Sequence, residues 1–258
     1  MRKGFKIQRA VIFALFLREA VNRLSSQRGA WVWILFEPLS YILFLVLMYT
    51  VVRVRTVGGI DTAIWLMAGI LAFFMFRRTS DHTMNAISAN KALFAYRQVK
   101  PVDTVLVRAA LEGFLMILVA IILFLGGGLF GLPALPVDPL AVLEAVFGLW
   151  LIGLGFGLVA SVAIELIPEL QKIIGVVMMP LYYISGVVFP IAIIPQPYRG
   201  YLLWNPLVHG MEAARLGFAP YYHSVPELSM AYLYGCALVS IFLGLALHVR
   251  FAGKMVAQ

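Results

Sequence analysis

The sequence predicts an all-α integral membrane protein: six transmembrane helices, an N-terminal amphipathic interface helix over residues 1–30, a short helix outside the bilayer over 80–101, and a re-entrant region over 185–218 ahead of the last span. Three observations predict this class. Mean hydropathy is +0.94 and only 12% of residues are charged, a composition that excludes a soluble enzyme. Six stretches, at about 31–52, 58–76, 105–130, 140–164, 173–194 and 228–250, are apolar for long enough to cross a hydrocarbon core of about 30 Å. They are continuous instead of alternating, as helices are and barrel strands are not. Sixteen of the 20 Lys and Arg fall on one side of these spans when the N-terminus is placed inside, so both termini are expected in the cytoplasm. In a soluble chain the net charge of +8 would suggest nucleic acid; here its one-sided placement accounts for it, and no nucleic acid is implied.

The N-terminus starts like a secretory signal, with basic MRKGFKIQR before the apolar octet Ala10 to Leu17, but Arg18-Glu19 follows at once and no small-residue cleavage site appears. Eight residues rise only about 12 Å as a helix, too little to cross. Residues 1–30 therefore read as an amphipathic helix on the membrane surface, with Arg9, Arg18 and Arg23 reaching toward lipid phosphates. The first span, Trp31 to Val52, carries one charge, Glu37, close to its start, where neutralising an arginine of the entry helix is favoured over contact with a substrate. After the second span, residues 80–100 set Met84, Ile87, Leu93, Phe94 and Tyr96 among polar residues and stop at Pro101, the pattern of a short amphipathic helix. Asp103 or Thr104 can cap the span that follows. This segment is either a solvated loop whose charge holds topology or a surface for a partner, and its Leu-Phe-x-Tyr favours the partner.

In the third span Arg108 and Glu112 stand at i and i+4 and can neutralise each other. GLPALPVDP leaves room only for a turn before the fourth span, and Glu144 lies near the outer edge of that span. The loop from Ile164 to Ile173, with Glu165, Glu169 and Lys172, is either a second contact on the basic side or a simple turn. Cys236, the one cysteine, can form neither an internal disulfide nor a Cys-rich metal site. Beyond the fifth span, Pro190, Pro195, Pro197 and Pro206 interrupt any continuous helix. Non-helical backbone at membrane depth has to be buried or line a watery cavity, hence the re-entrant reading. His209, Glu212 and Arg215 recur every three residues on one helix face, but one His and one Glu beside an Arg are a poor cation site. A structural hydrogen-bond and charge cluster is expected there, with no metal.

Tyr41 and Tyr49 on the first span, and Tyr182 and Tyr183 on the fifth, belong either to an interfacial aromatic belt or to a channel in which flat rings face sugars. Channel contacts of that kind have to be weak enough to release. No G-x-x-x-x-G-K-[ST] loop is present, so the chain is expected to bind no nucleotide or other cofactor itself. The loops also lack the Asp, Glu and His cluster that an integral-membrane glycan transferase would want. With no internal repeat or flexible linker, residues 1–258 read as a single domain.

Two long stretches carry a family resemblance. ALFAYRQVKPVDT, residues 92–104, resembles the cytoplasmic coupling segment in the permease subunits of bacterial capsular polysaccharide exporters of the ABC-2 class. SGVVFPIAIIPQPYRGYLLWNPLVHGMEAARLGF, residues 185–218, resembles the second signature of that class: a break after the fifth span, then Trp-Asn-Pro-Leu and a His-x-x-Glu-x-x-Arg helix. Glu37-Pro38 after Trp31 and Trp33 is similar to the start of the family's first span, and the likeness covers nearly the whole chain. It implies a homodimer in the bacterial inner membrane, served by two separate ATP-binding subunits that hold ATP and Mg. It also implies an envelope-spanning, co-polymerase-type partner in the periplasm and a lipid-linked acidic polysaccharide that crosses unchanged. On this resemblance Leu93, Phe94 and Tyr96 form an apolar knob entering a cleft on the ATPase, with Arg97 and Lys100 pairing with acidic groups around it. Pro190, Trp204, Asn205, Pro206, His209, Glu212 and Arg215 shape a gate region. Arg53 and Arg55 are either an attraction for acidic glycan at the exit or plain surface charge. The alternative is a permease for another lipid-linked glycan, such as O-antigen or teichoic acid, or for a drug or lipid, and the capsule-like coupling segment argues against it.

Overall fold

The computed structural model describes residues 2–25, 29–52, 54–96 and 98–256. Arg28, Arg53 and Arg97, which entered the charge count, the exit reading and the coupling reading, lie outside the described residues. The chain is a helical bundle: α1 (Arg2–Ser25), α2 (Ala30–Val51), α3 (Thr62–Met84), α4 (Pro101–Leu129), α5 (Pro139–Leu166), α6 (Leu170–Ile184), α7 (Tyr198–Leu202), α8 (Pro206–Phe218), α9 (Met230–Arg250) and α10 (Ala252–Val256). A 3-10 segment, Ser88–Ala95, joins α3 to α4, and a second, Ile191–Ile193, follows α6. Among the described residues five helices are long and apolar enough to cross a membrane: α2, α3, α4, α5 and α9. The expected fifth span, 173–194, is instead the 15-residue α6, about 22 Å long, because Ser185-Gly186 turns the chain; Gly186 has φ +78°, a conformation that suits glycine.

The core post is α3. Trp65, Leu66, Ile70, Phe73 and Phe74 on it are at most 1% exposed, and α2, α4, α5 and α8 pack around it. Its start is set by a two-residue hairpin that the apolar pattern had merged into the span: β1 (Thr56–Val57) pairs antiparallel with β2 (Ile60–Asp61) around Gly58-Gly59, both at positive φ. Asp61 then caps α3, its Oδ1 accepting from Ala63 N at 2.9 Å. At the other end α3 runs past residue 76 to Met84, since no Gly or Pro interrupts it before Asn85. This carries Arg77 and Arg78, beyond the expected end of the second span, and His82, expected on the separate short helix, onto α3.

Close approach of α5 to its neighbours depends on small residues, as is usual where helices meet in a membrane. Gly157 lies against Thr83 of α3, and Gly155 against Ser240 of α9. A Cβ on Gly157 would overlap the Thr83 side chain, which is itself fully buried and bonded to the α3 backbone. Gly157→Val is therefore expected to destabilise the bundle by about 1–3 kcal/mol, seen as a lower melting temperature in detergent and a lower yield from membranes.

The first helix is turned the opposite way from the surface-anchor expectation. Arg18, Glu19 and Arg23 point into the bundle and are bonded there, while Phe13, Leu17 and Leu24 are 62%, 49% and 44% exposed. Of the three arginines assigned to lipid phosphates, Arg9 alone stays on the exposed side. The Asn90 side-chain carbonyl on the 3-10 segment draws Arg18 inward, and the Glu112 carboxylate of α4 draws Arg23.

Candidate functional site

Both extremities of the bundle hold a polar construction, and they differ in kind. At the end carrying α1, α10 and the 3-10 segment lies a charged network. Met84 ends α3, Asn85 closes it by donating its side-chain amide to Asp81 O at 2.8 Å, and the chain then tightens into the turns of Ser88–Ala95. Pro101 opens α4 four residues before the expected start, so Asp103 is the third helical residue and not the N-cap; its carboxylate accepts from the N-cap Lys100 N at 3.0 Å. The segment 80–101 is thus an α-helix end, a 3-10 turn and a cap, not one amphipathic helix.

The knob of Leu93, Phe94 and Tyr96 is corrected for Phe94, which is 6% exposed and packed among Ala86, Ile87, Val105, Ala109, Leu154, Leu158, Val162 and Met255. Burying a phenylalanine is worth roughly 1.5–3 kcal/mol, enough to hold this segment to α4 and α5. Leu93 is half-buried, whereas Tyr96 is 67% exposed and Lys100 is exposed. The outward side of the segment therefore includes Lys91, Tyr96 and Lys100.

Beneath that outward side the segment is tied in two directions. Asn90, 2% exposed, accepts from Arg18 Nη2 and donates to Glu19 Oε1 at 3.2 Å, both on α1. Its neighbour Lys91 reaches Glu165 at the end of α5 at 2.9 Å. Glu165 is thus occupied within the chain, while Glu169 and Lys172 of the same loop are exposed. Gln171 on α6 donates to Asn85 Oδ1 at 3.0 Å.

The charge pairs differ from those spacing suggested. Arg108 Nε bonds Glu19 Oε1 at 2.7 Å, and its Nη1 donates to His82 O and Asn85 O at the α3 terminus. Glu112, 3% exposed in its side chain, takes Arg23 at 3.2 Å, His82 at 3.5 Å and Arg78 at 3.7 Å. Glu37 pairs with Arg78 of α3 at 3.4 Å, and among the described residues it has no ion pair with the entry helix. Helical i,i+4 neighbours lose here to partners on other helices that are better aimed. Glu19, Asn90, Arg78, His82 and Gln171 were missed as site residues; the absence of any helix breaker between Phe76 and Asn85 was the available signal for two of them.

At the opposite end the 185–218 region is irregular and internally satisfied. Asn205 caps α8 by accepting from Leu207 N at 3.0 Å, with Pro206 as first helical residue, and donates to Ser185 Oγ at 2.9 Å. Pro190, half-buried, precedes the second 3-10 turn, and Trp204 is 74% exposed. Arg215 and Glu212 are fully buried and paired at 2.7 Å. Arg215 also lies 3.8 Å from the Trp65 ring centroid and donates to Val187 O at 3.2 Å. Tyr222 donates to Glu212 Oε1 and accepts from Trp65 Nε1, each at 3.2 Å. Burial, aided by the Glu212 carboxylate, pushes the Tyr222 phenol up to about 12, so it keeps its proton at neutral pH and goes on donating.

His209 does not join this pair, although the spacing put it on the same face. Its Nδ1 accepts from Ser229 N at 3.0 Å, so its Nε2 carries the proton, donated to Leu203 O at 2.9 Å. It ties the start of α9 to the turn before α8. Among the described residues no group of three or more His, Cys, Asp and Glu could hold a metal ion.

The four tyrosines divide. Tyr41 and Tyr183 are 42% and 44% exposed, whereas Tyr182 is 8% exposed and packed edge-on against Phe73 and Tyr183. Tyr49 donates its hydroxyl to Val188 O, beside the carbonyl that Arg215 holds. Two consecutive carbonyls of the unwound turn after α6 are thereby satisfied from α2 and α8, as buried irregular backbone requires.

With this geometry, known relatives are informative. The family model described as ABC-2 type transporter matches residues 10–219. The polysialic acid transport protein KpsM of Escherichia coli is 38% identical over 247 residues, covering 96% of this chain and 95% of that protein. The capsule polysaccharide export inner-membrane protein CtrC of Neisseria meningitidis serogroup A is 33% identical over 250 residues, covering 95% and 92%. A capsule polysaccharide export inner-membrane protein of Haemophilus influenzae, BexB, is 28% identical over 217 residues, covering 84% and 82%.

Proposed function

The chain belongs to the ABC-2 type transporter membrane family, and from that premise we propose that it is the permease subunit of an ATP-driven exporter that moves a lipid-linked acidic capsular polysaccharide across the bacterial inner membrane. It is a transport subunit and not a catalytic one; ATP and Mg are held by two copies of a separate subunit. The basic end faces the cytoplasm with both termini, in keeping with the Lys and Arg distribution. There the exposed stripe Phe13, Leu17 and Leu24 of α1 rests in lipid while its charged side faces protein. The sixth crossing is completed by α6 and the unwound turn after it, whose carbonyls Tyr49 and Arg215 satisfy.

Six helices enclose little space, so the path for glycan lies between two copies of the chain, with an envelope-spanning partner receiving the polymer beyond. α2 leaves most of its surface uncovered, and Tyr41 and Tyr183 offer ring faces at that side of the bundle for weak contact with passing sugars. The observation that carries the reading is the crosspiece of residues 88–100: Lys91, Tyr96 and Lys100 face outward on a segment held to α1, α4 and α5, so force applied there reaches the bundle.

Tyr96 is the test. Its ring is exposed, so Tyr96→Ala is expected to leave the amount of inserted protein unchanged. As an aromatic anchor at an interface it is worth about 2 kcal/mol, or roughly 30-fold in affinity for the ATP-binding subunit. Export should fall accordingly in vesicles carrying the reconstituted complex. Normal binding and normal export by this variant would remove Tyr96 from the dock.

A further inference from the structure

Asn90 is polar, 2% exposed, and sits on the segment proposed to receive the ATPase, yet its side chain faces away from any partner and into α1. Its three side-chain contacts are all internal: Arg18 donates to its Oδ1, and its Nδ2 donates to Glu19 Oε1 at 3.2 Å and Ala86 O at 2.9 Å. The same Glu19 oxygen accepts from Arg108 Nε at 2.7 Å, and Arg108 in turn holds the two carbonyls His82 O and Asn85 O. Three elements therefore meet on one carboxylate, α1, the crosspiece and α4, and Arg108 ties in the end of α3 as a fourth. A second tie, Gln8 Nε2 to Asp103 Oδ1 at 2.7 Å, joins α1 to the first turn of α4. An anchoring helix that merely floats in the lipid surface needs none of these bonds. Hydrogen bonds to charged groups in a partly dry site are strong and directional, which makes such a junction stiff.

We infer that Asn90 and Glu19, with Arg108, clamp α1 to the crosspiece so that α1 moves with it as one body, making the entry helix a driven element of export in addition to an anchor. Asn90 and Glu19 are positioning residues: they touch neither ATPase nor glycan. This rests on the docking role proposed for the crosspiece. The side of the segment that would meet the ATPase, Tyr96 and Lys100, is left untouched by a change at Asn90, so docking and transmission can be separated.

The experiment uses the complete exporter in proteoliposomes, with ATP hydrolysis and glycan export measured together. Asn90→Ala is expected to bind the ATP-binding subunit as the parent does and to hydrolyse ATP within about twofold of it, while export per ATP falls on the order of tenfold, the effect of losing one charge-assisted hydrogen bond. Where this variant accumulates poorly, Glu19→Gln, which keeps an oxygen acceptor and removes the charge, is read in the same way. In a Cys236→Ser background, bridging Glu19→Cys to Asn90→Cys with a short bis-thiol reagent should return most of the lost export, since parts that travel together tolerate a bond between them. Normal export per ATP in both Asn90→Ala and Glu19→Gln overturns the inference, as does a bridge that blocks export. A parent complex in which the crosspiece does not bind the ATPase would instead overturn the docking reading, before any variant is compared.

Discussion

Glu212→Leu is expected to cost the folded bundle about 3–5 kcal/mol, the largest loss among the changes considered. Both members of the Glu212 and Arg215 pair are fully buried, so removing the carboxylate leaves a guanidinium in a dry site beside the uncharged Trp65 ring and Val187 carbonyl. Tyr222 would lose the acceptor of its hydroxyl as well. The loss should appear as a markedly lower melting temperature in detergent and as poor accumulation in the membrane. Glu212→Leu combined with Arg215→Met should recover much of it, because the charge and its desolvation cost leave together. A single variant as stable as the parent would mean that water reaches Arg215.

Glu112→Ala is expected to be nearly as damaging, about 3 kcal/mol, for a related reason with a different outcome in the double variant. Glu112 is the common partner of Arg23, Arg78 and His82, drawn from α1 and α3. Without it Arg78 keeps Glu37 and the Ile34 carbonyl, but Arg23 is left against the His82 ring with no carboxylate beside it. Removing Arg23 too should therefore rescue stability only in part, unlike the isolated pair at the other end. Limited trypsin digestion supplies a second readout: cleavage at Arg18 and Arg23 should accelerate as α1 loosens. Unchanged melting and unchanged digestion would show that α1 is held without this carboxylate.

The apolar runs made the bundle legible. Continuous hydrophobicity located α2, α4, α5 and α9 to within a few residues, whereas Pro206, read only as an interruption, opens α8 behind the Asn205 cap. Misreadings came where charge was taken as a sign of solvent. Arg77 and Arg78 ended the second span on paper, yet α3 continues to Met84 because its charged turns are covered by α1 and answered by Glu37, Glu112 and Asp81. Arg108 and Glu112 were paired by spacing, and each has a partner on another helix that no local rule could see. Phe94 had the composition of a docking knob and serves as the pin that fixes the segment, a distinction set by the α5 and α10 residues packed on it. His209 shows the same limit: periodicity put it on the face of Glu212 and Arg215, and hydrogen bonds to Leu203 and Ser229 took its ring elsewhere.

The most direct measurement replaces Tyr96 with a photo-crosslinking phenylalanine analogue in the assembled exporter and asks which protein it captures. The account predicts a light-dependent adduct with the purified ATP-binding subunit from the cytoplasmic side, in an otherwise active complex. No such adduct at Tyr96, together with an equal probe at the far-end Tyr221 capturing that subunit, would contradict it.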